Sequence, residues 1–310
     1  MRDSAFAEDI ATAAQLACLL EASAPKPGNV SREVRFGDTT YEHFLASAAA
    51  IGPALGSAGR RGVGETIHLA VRATRRWTGT NTNLGIVLLL APLARAAATC
   101  LTTTGSAATG VVQPHVLRRA LEVVLTATTV DDARETYAAI RLASPGGLGT
   151  ADGQDIGTEP TVSLADAMRL AADRDGIARE YATSFQATFE MAVPALRAAR
   201  RDGLDWNDAI VETYLTVLAT SVDTHIVRRA GPAVADSVTR HARDVLAAGG
   251  VRSDQGRAAV TQMANAIRDE RNLRNPGTTA DMTAAAIFVV LLDGGWHSRL
   301  GSGGDDAASR

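Results

Sequence analysis

This chain is almost without lysine: of its 31 basic residues, 30 are arginine and one, Lys26, is lysine. It is also poor in cysteine, with two, and in asparagine, with seven, and its aromatic content is 4%. Each shortage excludes something. Cys18 and Cys100 lie in apolar runs, and no Cys-x-x-Cys or Cys/His cluster exists, so a disulfide framework and a structural zinc are excluded. They read as two buried thiols in a reducing compartment. The charge is nearly balanced, 31 basic against 34 acidic residues for a net of -3. That gives no bulk attraction to nucleic acid or to an anionic membrane, so any anion binding must be local.

Long apolar runs are missing too. The longest, Leu84–Ala94 and Ala284–Leu292, fall short of the roughly 20 residues that span a bilayer. They read as core helices. Met1 to Glu8 carries acids and no apolar core, unlike a signal peptide. The expectation is a cytoplasmic protein.

Strand-like alternation of β-branched residues is nearly absent. Apolar residues instead recur at three and four, the helical period. Ile10, Ala14, Ala17 and Cys18 form one stripe, and Phe44, Ala48, Ile51 and Leu55 another. Leu117, Leu121, Val124 and Leu125 repeat the pattern, as do Ile210, Tyr214, Val217 and Leu218. These features predict an all-α fold of about a dozen helices. No breaker between the stripes is long and polar enough for an interdomain linker. Residues 1–297 therefore read as one helical domain, and the Gly/Ser/Asp-rich end, residues 298–310, as a disordered tail.

Four polar segments stand out from the alanine-rich background. The first is Pro25-Lys26-Pro27-Gly28-Asn29-Val30-Ser31. Two prolines fix the backbone, Gly28 permits a positive φ, and a lysine held between prolines suits a phosphate contact. The alternative is an ordinary turn after the first helix. The second is Gly79-Thr80-Asn81-Thr82-Asn83-Leu84-Gly85, opening the apolar run Ile86–Leu90. Asn81 is a good N-cap, and the free N–H groups of a helix start attract anions. The third holds Asp223, His225, Arg228 and Arg229. Asp223 can cap a helix, hold a metal or act as a base, and the arginines can meet phosphates. A solvated salt-bridge cluster is the competing reading. The fourth is Asn275-Pro276-Gly277-Thr278-Thr279-Ala280-Asp281. Asp281 is expected in the first turn of a core helix, placed to be stabilised by the helix dipole or to bind Mg²⁺ beside a phosphate.

Four of the seven asparagines, Asn29, Asn81, Asn83 and Asn275, lie in these segments, which argues for one shared polar site. A softer fifth segment, Ser144 to Gly149 with Asp152 and Asp155, has the character of a lid. No Walker A or dinucleotide-binding fingerprint is present.

In their order and spacing, Pro25–Val30, Phe44–Ala48, Asn81–Gly85, Asp223–Gly231 and Pro276–Asp281 resemble the triphosphoribosyl-dephospho-CoA synthase family. The resemblance runs from about Ala13 to Leu292. It implies an all-helical enzyme that joins ATP to 3′-dephospho-CoA and releases adenine. It implies phosphate contacts from Lys26 and from the helix starts at Asn81 and Thr278, with Arg228 nearby. Asp223 and Asp281 would hold Mg²⁺ or act as base. Asn29, Asn83 and His225 would orient ribose or adenine. Gly28, Ser31, Thr82, Asn275, Gly277 and Thr279 would complete the substrate site. Many members that serve citrate lyase read Asn-Thr-His-Lys-Gly where this chain has Asn81-Thr82-Asn83-Leu84-Gly85. That departure leaves a different hydroxyl or ribose acceptor open, and a homo-oligomer is left open too. The rival readings are a helical N-glycosidase such as an ADP-ribosyl hydrolase, and a non-catalytic binding module. The first usually needs clustered aspartates. The one tight pair outside the tail, Asp131-Asp132, reads as a helix start.

Overall fold

The computed structural model describes residues 2–35, 37, 39–103, 110–147, 149–151, 153–269 and 271–296. The expected tail, 298–310, lies outside the described residues, as do Leu148 and Asp152 of the expected lid.

Among the described residues there are fourteen α-helices and no strand. They are α1 (Arg2–Ser23), α2 (Tyr41–Gly56), α3 (Val63–Arg75), α4 (Leu84–Thr103), α5 (Pro114–Thr126), α6 (Val130–Ala143) and α7 (Leu164–Ala171). The second half continues with α8 (Gly176–Ala182), α9 (Val193–Arg201), α10 (Trp206–Thr220), α11 (Thr224–Ala230), α12 (Pro232–Ala247), α13 (Asp254–Ile267) and α14 (Gly277–Leu292). The starts follow the sequence. Thr129, Ser163, Asp205 and Ser253 each accept a hydrogen bond from the first turn of the helix they precede. The Asp131-Asp132 pair is indeed a helix start: Asp132 closes a capping box with Thr129. Its other oxygen accepts from Gly64 N at 2.8 Å, tying α6 to α3.

Two helices that are apolar on nearly every side, α4 and α14, form the centre, with α1, α3, α5, α9 and α10 packed around them. The predicted stripes on α1, α5 and α10 are buried, as are Ala48, Ile51 and Leu55 on α2. Both cysteines are buried and free. The strict apolar run at Leu84 proves to be part of a longer helix. Leu84–Thr102 is long and apolar enough to cross a membrane, yet 78% of it is buried inside the fold. Its length comes from alanines and threonines beyond Ala94, which the apolar run alone did not count.

On α14, Asp281 is the one residue between Thr278 and Val290 that is not fully buried. The rest of that stretch is buried. The first turns of α4 and α14 meet at one end of the bundle, and there the site is built.

Candidate active site

Asp223 decides how α14 begins. It caps α11: Oδ1 accepts from His225 N at 2.9 Å and Ile226 N at 3.2 Å. Its Oδ2 accepts from Thr279 N at 2.8 Å and Thr279 Oγ1 at 2.7 Å. One carboxylate thus joins the starts of two helices. A carboxylate offers about four lone-pair positions, and all four are taken. Burial pushes the carboxyl above its ordinary value while the four donors pull it down. The expected role of Asp223 as base or metal ligand is therefore corrected to a structural one, and Thr279 is spent on the same contact. Thr278 Oγ1 lies 3.1 Å from Thr224 Oγ1, which in turn accepts from Gly176 N at 2.9 Å, so α8 is tied to the same corner.

Lys26 also departs from expectation. Its side chain is fully buried, and Nζ is 3.0 Å from Glu21 Oε1. It also donates to the Glu21 carbonyl and, at 3.2 Å, to the Ala24 carbonyl. Three N–H groups meet three acceptors, so none is left for a phosphate. The ammonium satisfies carbonyls freed at the end of α1, and a buried charge of this kind must be paired. Replacing Lys26 with Met is expected to cost about 3–5 kcal/mol, because Glu21 is left buried and alone. Adding Glu21→Gln should recover most of that loss in a denaturant titration. A phosphate role predicts the opposite pattern, intact stability and a raised KM for ATP. Gly28 and Ser31 belong to the same loop. Gly28 has φ +81°, and a Cβ there would lie 2.8 Å from Ile267 Cδ1 and 2.9 Å from Pro276 Cδ. The glycine serves packing against the α13–α14 turn. Ser31 faces a separate cleft beside α13.

The remaining predicted residues do converge. A polar cavity of about 100 Å³ is lined by Asn29, Asn81, Thr82, Asn83, Asn275, Gly277, His225 and Asp281. Asn81 Oδ1 accepts from Leu84 N at 3.1 Å, Asn83 Nδ2 donates to Thr74 Oγ1 at 3.2 Å, and Thr82 bonds Ser47. Phe44 and Glu21 complete the wall. Glu21 was missed in the sequence, although a signal existed: it extends the buried Ile10–Ala14–Ala17 stripe by one helical step, and a carboxylate on such a stripe needs a reason.

A second cavity, about 190 Å³, lies on the other side of Asp281. Its walls are apolar, with Leu88, Ile140, Met168 and Ile177, and its rim carries Arg174, Asp175 and Arg228. Arg228 is 3.2 Å from Asp175 and donates from Nε to the Gly146 carbonyl at 3.3 Å. The expected lid segment runs along this cavity through Pro145, Gly149 and Asp155. Asn81, Leu84, Gly85, His225 and Asp281 line both cavities.

Asp281 sits at that junction, just past the first turn of α14 rather than in it. It has no hydrogen-bond or ion-pair partner among the described residues. Burial first, then the nearby Glu21, Asp223 and Asp175, hold its carboxyl well above the usual aspartate range. It is a carboxyl of the site whose oxygens no described neighbour uses. His225 is the reverse: burial, with Arg228 and Arg229 beside it, pushes its pKa down to about 3. It is neutral and works as a hydrogen-bonding wall, not as an acid. Gly277 leaves it room, since a Cβ there would lie 2.5 Å from its Nδ1.

Gly85 does the same for Asp281. A Cβ on Gly85 would stand 1.9 Å from Asp281 Oδ2. Alanine favours a helix over glycine by about 1 kcal/mol, but overpacking of this kind costs about 1–3 kcal/mol and the carboxyl must leave its place. Gly85→Ala is thus expected to fold and to lose at least about 10²-fold in turnover, measured beside an Asp281→Asn control.

No three metal-binding side chains converge among the described residues. Asp223 has no free lone pair, so it cannot share a cation with Asp281. The expected Mg²⁺ site on these two aspartates does not fit the geometry.

Residues 7–300 match the ATP:dephospho-CoA triphosphoribosyl transferase family. The chain belongs to that family. A 2-(5''-triphosphoribosyl)-3'-dephosphocoenzyme-A synthase of Klebsiella pneumoniae is 32% identical over 119 residues, 38% of this chain and 42% of that protein. A Pseudomonas syringae pv. tomato protein assigned to the same activity is 29% identical over 163 residues, 46% of this chain and 54% of that protein. The alignments thus span about half the length of these curated relatives. A crystal structure of a protein assigned as a triphosphoribosyl-dephospho-CoA synthase from Archaeoglobus fulgidus superposes with a TM-score of 0.62. It is 26% identical and covers 82% of this chain and 99% of its own. The all-helical fold expected from the family resemblance is the fold observed.

Proposed function

We propose that the chain transfers the 5-triphosphoribosyl group of ATP to the ribose 2′-hydroxyl of 3′-dephospho-CoA and releases adenine. Family membership supports the reaction class. The single structural observation that carries it is Asp281, unpartnered at the junction of two unlike cavities. A base that departs on one side and a hydroxyl that arrives on the other need two compartments and a shared proton carrier.

The bonds balance as follows. The acceptor O2′ forms a bond to C1′ of the ATP ribose. The C1′–N9 bond breaks, and its electron pair leaves with the purine. By analogy with glycoside hydrolysis the transition state is oxocarbenium-like. The carboxylic acid of Asp281 gives its proton to the departing base, and the resulting carboxylate takes the proton of the attacking hydroxyl. One proton therefore moves from hydroxyl to adenine, and Asp281 ends as it began. Its partner carboxylates favour the oxocarbenium charge. Arg174 and Arg228, at the rim of the larger cavity, take the phosphates in place of Lys26. Mg²⁺ enters with ATP as the counter-ion of its triphosphate. A cytoplasmic setting supplies both substrates.

The test is incubation with ATP and Mg²⁺, with and without 3′-dephospho-CoA, following free adenine and product mass. Equimolar adenine and product, only with the acceptor, is the expected result. Adenine with free triphosphoribose in the absence of acceptor would establish the hydrolase reading instead. No adenine under either condition would remove the proposal.

A further inference from the structure

The smaller cavity contains an atom with nothing to do. Asn29 is 9% exposed, and its Oδ1 is buried with no hydrogen-bond partner. Its Nδ2 donates to Asn275 Oδ1 at 2.6 Å, which uses one of two N–H bonds. Asn29 lines this cavity and the cleft beside α13, and native interiors rarely leave a polar atom unpaired, so the orphan points to a ligand. The ligand group must be a donor. It can also accept from the second Nδ2 hydrogen.

Charge narrows the choice. Among the described residues lining this cavity there is no arginine or lysine, whereas Glu21 and Asp281 both line it. A phosphate finds no cation in that wall. The arginines stand on the opposite cavity, with Arg174 and Arg228 at its rim. ATP has one uncharged end, the purine. Its 6-amino group donates and its N7 accepts, side by side, and an asparagine amide matches that pair in one plane. Phe44 and the neutral imidazole of His225 add flat faces to the wall. A ribose hydroxyl would also satisfy Oδ1, but it brings a 5′-phosphate towards a wall without a cation.

We propose that this cavity receives the departing adenine and that Asn29 reads its 6-amino and N7 edge. The inference rests on the transfer reading above for its substrate, not for its geometry. When C1′–N9 breaks, the purine keeps the electron pair. The second Nδ2 hydrogen of Asn29 then faces the N7 that carries part of that charge, and the proton from Asp281 restores neutral adenine.

Two measurements test it. Calorimetry with free adenine and free hypoxanthine, which replaces the 6-amino group by an oxo group, requires no turnover. The wild-type protein should bind adenine at least about 10-fold more tightly, since a buried site rejects a mismatched polar group strongly. Asn29→Ala should erase the preference. Asn29→Asp keeps the acceptor for the 6-amino group but loses the N–H that faces N7 and Asn275, so it should bind both bases more weakly and still retain the preference, which separates recognition from simple misfolding. The second measurement compares kcat/KM for ATP, ITP and 3′-deoxy-ATP. Asn29→Ala should lower the ATP-to-ITP ratio about 10-fold or more and leave the ATP-to-3′-deoxy-ATP ratio unchanged. No base preference in the wild-type protein, or one that Asn29→Ala leaves intact, overturns the inference. So does a shift confined to the 3′-deoxy ratio, which would make Asn29 a ribose contact. A base preference without any transfer to dephospho-CoA would leave this pocket standing and remove the transfer reading. Transfer without a base preference would do the reverse.

Discussion

Replacing Asp281 by asparagine removes adenine release and makes the protein more stable. Both effects follow from one carboxyl. General acid–base catalysis contributes about 10²–10⁴-fold, so kcat should fall by at least about 10² in an adenine-release assay. Stability moves the other way because the group is held protonated by burial and by three neighbouring carboxylates. In the unfolded chain an aspartate gives up its proton near pH 4. In the folded chain this one keeps it to higher pH. Below the unfolded value the group costs nothing. As pH rises from there through the raised value, folding must take up a proton, and stability is lost. Asparagine has the same shape and no such penalty. The gain in unfolding free energy of Asp281→Asn over the wild type should therefore be near zero at pH 4 and grow as pH rises, with a limiting slope of about 1.4 kcal/mol per pH unit. The same proton sets the alkaline limb of the wild-type rate profile. His225, already neutral above a pKa of about 3, adds no step between pH 5 and 8.

Asp223→Ala predicts the largest loss of stability in the molecule outside the lysine pair. Four donors, at His225 N, Ile226 N, Thr279 N and Thr279 Oγ1, lose their acceptor at once. A lost N-cap costs about 0.5–2 kcal/mol, and each buried donor left unpaired about 1–3. Relaxation and water entry reduce the sum, so about 3–5 kcal/mol is expected in a chemical denaturation curve. Activity should fall as well, because the start of α14 carries Asp281. The two effects differ from those of Asp281→Asn in sign: loss of activity with loss of stability, against loss of activity with gain. Activity retained in a folded Asp223→Ala protein would detach the helix start from the chemistry.

These contrasts show what could be read from residues alone. The helical period located the buried stripes, and the scarcity of asparagine located the polar site, because a rare residue repeated at helix edges marks a requirement. Four such asparagines line one cavity, though they lie as far apart in sequence as Asn29 and Asn275. What composition could not show was which polar group is already satisfied. Lys26 and Asp223 look functional because they are rare or charged in the right places, yet hydrogen bonds consume each completely. Asp281 looked like a dipole-stabilised carboxylate and is the one left free. Partner saturation depends on three-dimensional neighbours such as Glu21 for Lys26 and Thr279 for Asp223. Arg174 carried no signal at all, since it is one arginine among 30. The second cavity was equally invisible. It forms only where α6, α7 and α8 fold over α4, and its walls are the ordinary leucines and isoleucines of a core.

The decisive measurement is a crystal structure of the Asp281→Asn protein with ATP, Mg²⁺ and 3′-dephospho-CoA bound. The predicted result has C1′ of ATP and the acceptor 2′-hydroxyl both within hydrogen-bonding reach of residue 281. The adenine should lie among Asn29, Asn81 and Asn275, and the triphosphate on the Arg174 and Arg228 side. ATP bound with its C1′ in another part of the molecule, or with its adenine in the larger cavity, would contradict the two-compartment site on which the proposed reaction depends.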